Sequence, residues 1–248
     1  FGTQGSQPTH PELLDWLALE FIEGGWDMKA FLKQLVMTET YKRSSLVTTE
    51  ALSHDPLNLW LARGARHRLT AEAVRDQALF VSGLLNDQLY GPSISPPQPP
   101  GLWRAAFNGT QYAPTMGDAR HRRGLYVILR RTIPHPSMVA FDAPSRELCT
   151  SRRHLTNTPL QAFVTLNDPV FVEAAQSLAR RIIKAGGDTA HERARYGLRL
   201  CLLREPTPSQ VSTLERLYET ELAHYELADD EALAASLTQR RRQRRHGV

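Results

Sequence analysis

The chain has 248 residues, 41% hydrophobic and 23% charged, enough to bury a core as one large domain or two small ones. No run approaches the roughly 18 apolar residues of a membrane span, and Phe1-Gly2-Thr3-Gln4-Gly5 has neither the basic nor the apolar region of a signal peptide. The net charge of +4 belongs to the tail, because without Arg240, Arg241, Arg242, Arg244 and Arg245 the body is close to neutral and lacks the basic face of a nucleic-acid binder.

Helix signals dominate the N-terminal part. Thr9-His10-Pro11-Glu12 reads as a capping box opening a helix with Leu13, Leu14, Leu17, Phe21 and Ile22 on its buried face, stopped by Gly24-Gly25. A second helix is expected from Asp27, burying Phe31, Leu32, Leu35 and Val36. Asp55-Pro56 offers an N-cap with proline at the first helical position, leading into Leu57, Trp60 and Leu61. Thr70 opens a further helix with Val74, Ala78, Val81, Leu84 and Leu85 inward.

The middle changes character. Gly91 to Gly117 contains six prolines and four glycines, which excludes regular helix or central strand. Trp103, Phe107 and Tyr112 give this loop something to pack with and argue for order. Gly124-Leu125-Tyr126-Val127-Ile128-Leu129 fits either a short strand or one helical turn.

Helix returns with Thr158-Pro159-Leu160-Gln161, a second capping box. Asn167-Asp168-Pro169 restarts a helix facing inward through Phe171, Ala174, Ala175, Leu178 and Ile182, ended by Gly186-Gly187. Ala194, Leu198, Cys201 and Leu202 mark another, and Thr207-Pro208-Ser209-Gln210 caps a last one burying Val211, Leu214, Leu217 and Leu222. The expected fold is mainly α, with a long Pro/Gly-rich irregular centre and room for one short strand. Residues 1–225 form one domain, helical over 9–90, irregular over 91–155 and helical over 156–225, before an acidic-then-basic tail over 226–248.

Three ordered stretches carry a family resemblance. The first is Gly5-Ser6-Gln7-Pro8-Thr9-His10-Pro11-Glu12-Leu13-Leu14-Asp15-Trp16-Leu17-Ala18, and the second is His121-Arg122-Arg123-Gly124-Leu125-Tyr126. The third runs from Phe141-Asp142-Ala143-Pro144-Ser145-Arg146-Glu147-Leu148-Cys149 through Thr156-Asn157-Thr158-Pro159-Leu160-Gln161-Ala162 to Leu166-Asn167-Asp168-Pro169. Over residues 1–225 the chain resembles the uncharacterised C-terminal domain of large planctomycete-type secreted proteins, in which that domain often follows a cytochrome-c-like module. The resemblance implies an exported or periplasmic parent protein, of which this chain is a fragment. It also implies upstream domains as partners, and any haem in an upstream module with no cofactor in this chain. It carries no activity. The arginine tail stands where the resemblance calls for an apolar helix, which suggests truncation or an altered reading frame there.

The centre concentrates Arg120, Arg122, Arg123, Arg130, Arg131, Asp142, Arg146, Glu147, Arg152 and Arg153. One reading is a cluster of guanidinium forks for sulfate, carboxylate or phosphate groups, with Trp103 or Tyr112 stacking a sugar ring. The other is an arginine–carboxylate network pinning an irregular core. Asp142 and Glu147 neutralise two arginines there, and the rest face water, other acids or a ligand. Asp142 and Glu147 as a glycosidase pair have only their proximity in sequence to recommend them. His121, His135 and His154 lack metal-ligand spacing, Cys149 and Cys201 form no metal or haem motif, and no nucleophile elbow supports a Ser–His–Asp triad. The arginine tail would bind nucleic acid only without specificity. The expectation is therefore a non-catalytic interaction or scaffold module of a larger exported protein, with an anionic-polysaccharide-binding or -processing domain as the alternative.

Overall fold

In the computed structural model the described residues are 5–103, 111–147, 149–150, 153 and 155–227, so Phe107, Arg152, His154 and the arginine tail lie outside them. The chain divides into two compact units, Phe1–Arg68 and Leu69–Val248, a division that the expectation of one domain over 1–225 does not draw.

The first unit is built from α1 (Pro11–Glu23), α2 (Met28–Met37), α3 (Glu39–Lys42) and α4 (Thr49–His54). The expected capping box of α1 does not form. His10 is the N-cap, and the Thr9 hydroxyl turns to His10 Nδ1 at 2.9 Å. Asp27 caps α2 through Oδ1, which accepts from the Lys29 and Ala30 amides. Phe21 joins the two helices, its ring 5.1 Å from Trp26 and 4.9 Å from Phe31. Neither helix contains a buried residue, however. Leu17, Phe21, Phe31 and Leu35 are half-buried, whereas Leu13, Leu14, Ile22, Leu32 and Val36 are exposed.

Asp55-Pro56 opens a turn, not a helix. The buried Asp55 carboxylate accepts from the Leu59 and Trp60 amides at 2.8 and 3.0 Å. Asn58 and Leu61 take left-handed backbone (φ 55° and 53°), which no right-handed helix can contain. Trp60 is left 71% exposed.

The second unit has a helical core around α5 (Ala71–Ser82), α6 (Pro136–Ala140), α7 (Pro159–Asn167), α8 (Pro169–Ala185), α9 (Ala190–Leu202) and α10 (Pro208–Leu227). α5 packs on α8, α9 bridges α8 to α10, and α6 sits between α5 and α7. Ala71, Met138, Phe141 and Phe171 form the buried centre, flanked by Val74, Ala78, Val127, Ala143 and Val164. The deepest stripe of α5 is Ala71, Arg75, Leu79 and Ser82, with the expected Val74, Ala78 and Val81 on its half-buried edge. α8 supplies partners for the C-terminal carbonyls of α5. Ser177 Oγ donates to Ser82 O at 3.0 Å and Arg181 Nη1 to Val81 O at 2.9 Å.

The caps divide by geometry. Thr70 caps α5, Asp168 caps α8, and Thr207 and Gln210 exchange side-chain-to-amide bonds in a reciprocal box at the start of α10. The expected box at Thr158 is not made, because the buried Gln161 turns its amide back to Thr156. Thr189 and Glu192 form a full box on α9 that the sequence reading passes over. On α8 Phe171 and Ala174 are buried and Leu178 and Ile182 half-buried, but Ala175 is exposed. On α10 only Val211 of the expected face is buried, while Leu214, Leu217 and Leu222 are exposed.

The run 124–129 resolves into both of its alternatives. Gly124–Tyr126 is a 3-10 turn, and Val127 then bridges Ile94 in parallel through Tyr126 O and the Ile128 amide. The described residues hold isolated bridges and no sheet. Cys149 and Cys201 are unbridged. No helix among the described residues is long and apolar enough to cross a membrane.

Candidate functional site

Three arginines of the centre, Arg120, Arg123 and Arg153, pair with acids of α5 and α8 rather than with Asp142 or Glu147. Glu72 and Asp76, four residues apart on α5, share one side of the helix. Arg153 Nη1 donates to Glu72 Oε2 at 2.6 Å, and Arg123 Nε to Asp76 Oδ2 at 3.0 Å. Asp76 Oδ1 also takes the Gly124 amide, fastening the 3-10 turn to the helix. Glu173 on α8 holds Arg120 and, at 3.2 Å, His121 Nε2. Burial alone would raise the Glu72 carboxyl, but hydrogen bonding and charge from Arg153 outweigh it and hold Glu72 below the ordinary range.

The expected partners act elsewhere. Asp142, itself at φ 61°, accepts from the Thr156 amide at 2.7 Å and its hydroxyl at 2.9 Å, tying the segment after α6 to the approach of α7. Glu147 is exposed, and its amide donates to Ser145 Oγ. The i, i+4 spacing of Glu72 and Asp76 was the available signal for the true partners. It is ordinary on a solvated helix face and becomes informative only once the centre is known to lie against that face.

The remaining candidates do not converge on one pocket. Arg122 is buried and donates to the carbonyls of Pro92 (2.8 Å), Gln88 (3.1 Å) and Tyr90, with its guanidinium 3.5 Å above the Tyr126 ring. Trp103 is buried too, with Arg130 over its ring at 4.8 Å and Tyr112 meeting it edge-on at 4.9 Å. That packing occupies the surface a sugar ring would need. Tyr112 donates to Pro96 O at 2.6 Å, and burial pushes its hydroxyl up to about 12, so it stays a donor. Arg131 and Arg146 are exposed.

Sequence reasoning missed Arg75. It lies 5% exposed in the inward stripe of α5, and its Nη2 donates to Arg120 O at 2.6 Å. Near it, Ser137 Oγ donates to Asp168, while His135 Nε2 lies 3.1 Å from Pro97 O. Ser137, Asp168 and His135 are therefore not wired as a nucleophile–base relay, in which the serine proton would face the imidazole. His121 and His135 hold separate partners, so the two are not gathered for a metal. On α9 an open groove is lined by Glu192, Arg195, Tyr196 and Arg199, and both arginines turn to Glu205.

His135 gives a pH prediction. Burial lowers its pKa, and the Pro97 carbonyl and the Asp168 charge offset this only in part, against the opposing charge of Arg75. Below the unfolded value of 6.5 the unfolded chain takes up a proton that the folded chain refuses, so stability falls as pH drops from 6.5 toward the depressed folded value. The contribution of Glu72 is lost only below its unfolded value of 4.5, in a separate window. Urea midpoints between pH 7 and 5 should fall more steeply for the wild type than for His135→Gln, and parallel slopes would refute the assignment.

No curated protein and no solved structure matches the chain. The family match covers most of the chain. Over residues 1–218 the sequence matches PSD1, protein of unknown function (DUF1553), and the protein belongs to that family.

Proposed function

We propose that this chain is a non-catalytic interaction module of a larger exported multidomain protein, packing on domains that precede it, a cytochrome-c-like haem module among them. One observation carries the reading. In the first unit the only buried residue among those described is an acid, Asp55, although α1 and α2 carry apolar stripes. Amphipathic helices draw most of their stability from burying such stripes against another surface. Here Trp16, Leu19, Trp26 and Met28 remain exposed, a concentration of large apolar side chains of the kind that marks an interaction surface. The second unit adds Leu214, Tyr218, Leu222 and Tyr225, spaced along one side of α10 and also exposed.

The alternative, an anionic-polysaccharide site, has to rely on Arg123, Arg130, Arg131 and Arg146, since Arg122 is held by backbone carbonyls and Trp103 is covered. Dye binding and sedimentation separate the two. The isolated chain should enhance the fluorescence of 8-anilinonaphthalene-1-sulfonate, and the signal should fall when the purified upstream polypeptide of the parent protein is added. A dye-silent monomer contradicts the reading. Stoichiometric binding of a sulfated oligosaccharide that is lost in Arg131→Ala/Arg146→Ala would replace it.

A further inference from the structure

Arg75 and His135 each keep one buried polar atom without a protein partner, Nε of the arginine and Nδ1 of the histidine. The two atoms are of opposite kind. Arginine carries only donors, so its Nε–H lacks an acceptor. The contact of His135 Nε2 with the Pro97 carbonyl, which can only accept, fixes the imidazole proton on Nε2. In the neutral ring Nδ1 is then a bare acceptor that lacks a donor.

Both residues wall the same small cavity, with Ser137 and Asp168 beside them and Phe141 and Phe171 among its apolar sides. Its free volume is about 10 Å³, close to what one water molecule requires. Asp168 accepts from Ser137 Oγ on one carboxylate oxygen and from the Val170 amide on the other, and each oxygen keeps a further lone pair.

We propose that this cavity is a binding site for a single water molecule, which accepts from Arg75 Nε–H and donates to His135 Nδ1 and to the Asp168 carboxylate. Three hydrogen bonds are the usual complement of a buried water. The chemistry selects water over other small occupants. A halide accepts from Arg75 but has no proton for His135, and it meets the charge of Asp168. A metal cation meets the guanidinium, and ammonium offers no acceptor to Arg75. An organic ligand does not fit the volume. The water ties the inward stripe of α5 to the residue before α6 and to the N-cap of α8, three segments distant in sequence.

A high-resolution crystal structure of the 248-residue chain tests this directly. The expected result is one isolated solvent peak about 2.7–3.2 Å from both Arg75 Nε and His135 Nδ1. An empty cavity, a direct Arg75–His135 hydrogen bond, or density for a larger group would overturn the proposal. Oxygen-17 relaxation dispersion tests it in solution. His135→Gln keeps a donor for Pro97 but offers no atom in the place of Nδ1, whereas His135→Asn restores an acceptor there. The glutamine variant should lose one long-lived internal water relative to wild type and the asparagine variant should retain it. Equal counts for wild type and His135→Gln would overturn the assignment even if one of the variants proves unstable.

Discussion

Replacing Arg122 with alanine is expected to cost about 2–4 kcal/mol of folding stability, because a buried side chain that donates to three carbonyls and stacks on a ring is lost. Arg122, 3% exposed, donates to the carbonyls of Gln88, Tyr90 and Pro92, in a loop that has no ladder of its own to satisfy them. The loop turns at Tyr90 and Gly91 (φ 62° and 89°), a left-handed pair between the carbonyls of Gln88 and Pro92 that meet the one fork. Each hydrogen bond from the charged fork is worth about 1.5–3 kcal/mol, not additively, and because Gln88, Tyr90 and Pro92 are exposed, water takes back part of the loss. Arg122→Lys should recover little, because a single ammonium cannot reproduce the planar fork or its stacking on Tyr126. Arg123→Ala is the internal control. Its partner Asp76 is shared with Gly124, and its own side chain is half exposed, so the loss should stay below about 1 kcal/mol. Urea denaturation of the three variants checks the ranking, and Arg122→Ala within about 1 kcal/mol of wild type would refute the clamp.

Gly124→Val is expected to destabilise by about 3 kcal/mol or more, and Gly124→Ala by about 1–3 kcal/mol. The reason is space rather than backbone freedom, since this glycine does not lie in the left-handed region. A Cβ built there stands 2.7 Å from Glu72 Cα and 2.9 Å from Glu72 O, both backbone atoms of α5 that cannot swing aside. The same approach lets the Gly124 amide reach Asp76, so any retreat of the turn breaks that bond and draws Arg123 away. Thermal denaturation of the two variants should show graded losses. An alanine variant as stable as wild type would show that the turn does not sit against α5 as described.

The helices were legible where local chemistry decides them. Asp27, Thr70, Asp168 and Thr207 announce their helices and cap them. Thr9 and Thr158 announce helices equally well, but His10 takes the N-cap position of α1 and Gln161 turns its amide back to Thr156, so neither hydroxyl makes the cap bond. Asp55-Pro56 opens a turn instead of a helix because its carboxylate satisfies the Leu59 and Trp60 amides in a non-helical loop, a choice the Asp-Pro pair does not reveal. The arginine centre was legible as a concentration of charge but not as an arrangement. Its acids come from Glu72, Asp76 and Glu173, about 50 to 80 residues away, and long-range pairing leaves no local mark. Arg75 was hidden for a related reason, since an arginine in an apolar helix pattern is by default read as solvent-facing.

The apolar stripes were the most misleading signal and became the most useful. Periodicity sets Leu13, Leu14 and Ile22 on the buried face of α1, and Leu214 and Leu222 on that of α10, but the structure leaves all five exposed. Within each unit nothing described buries them. That separation between pattern and burial is the physical basis of the proposed interaction role.

Hydroxyl-radical footprinting of Trp16, Trp26, Trp60 and Tyr218, in the isolated chain and in the intact parent protein, tests that role most directly. All four side chains are exposed here, from 47% for Tyr218 to 71% for Trp60. The interaction module predicts that the Trp16 and Trp26 region is oxidised readily in the isolated chain and strongly protected in the parent. Equal oxidation in both would mean that no neighbouring domain covers these faces, and the assignment would fail.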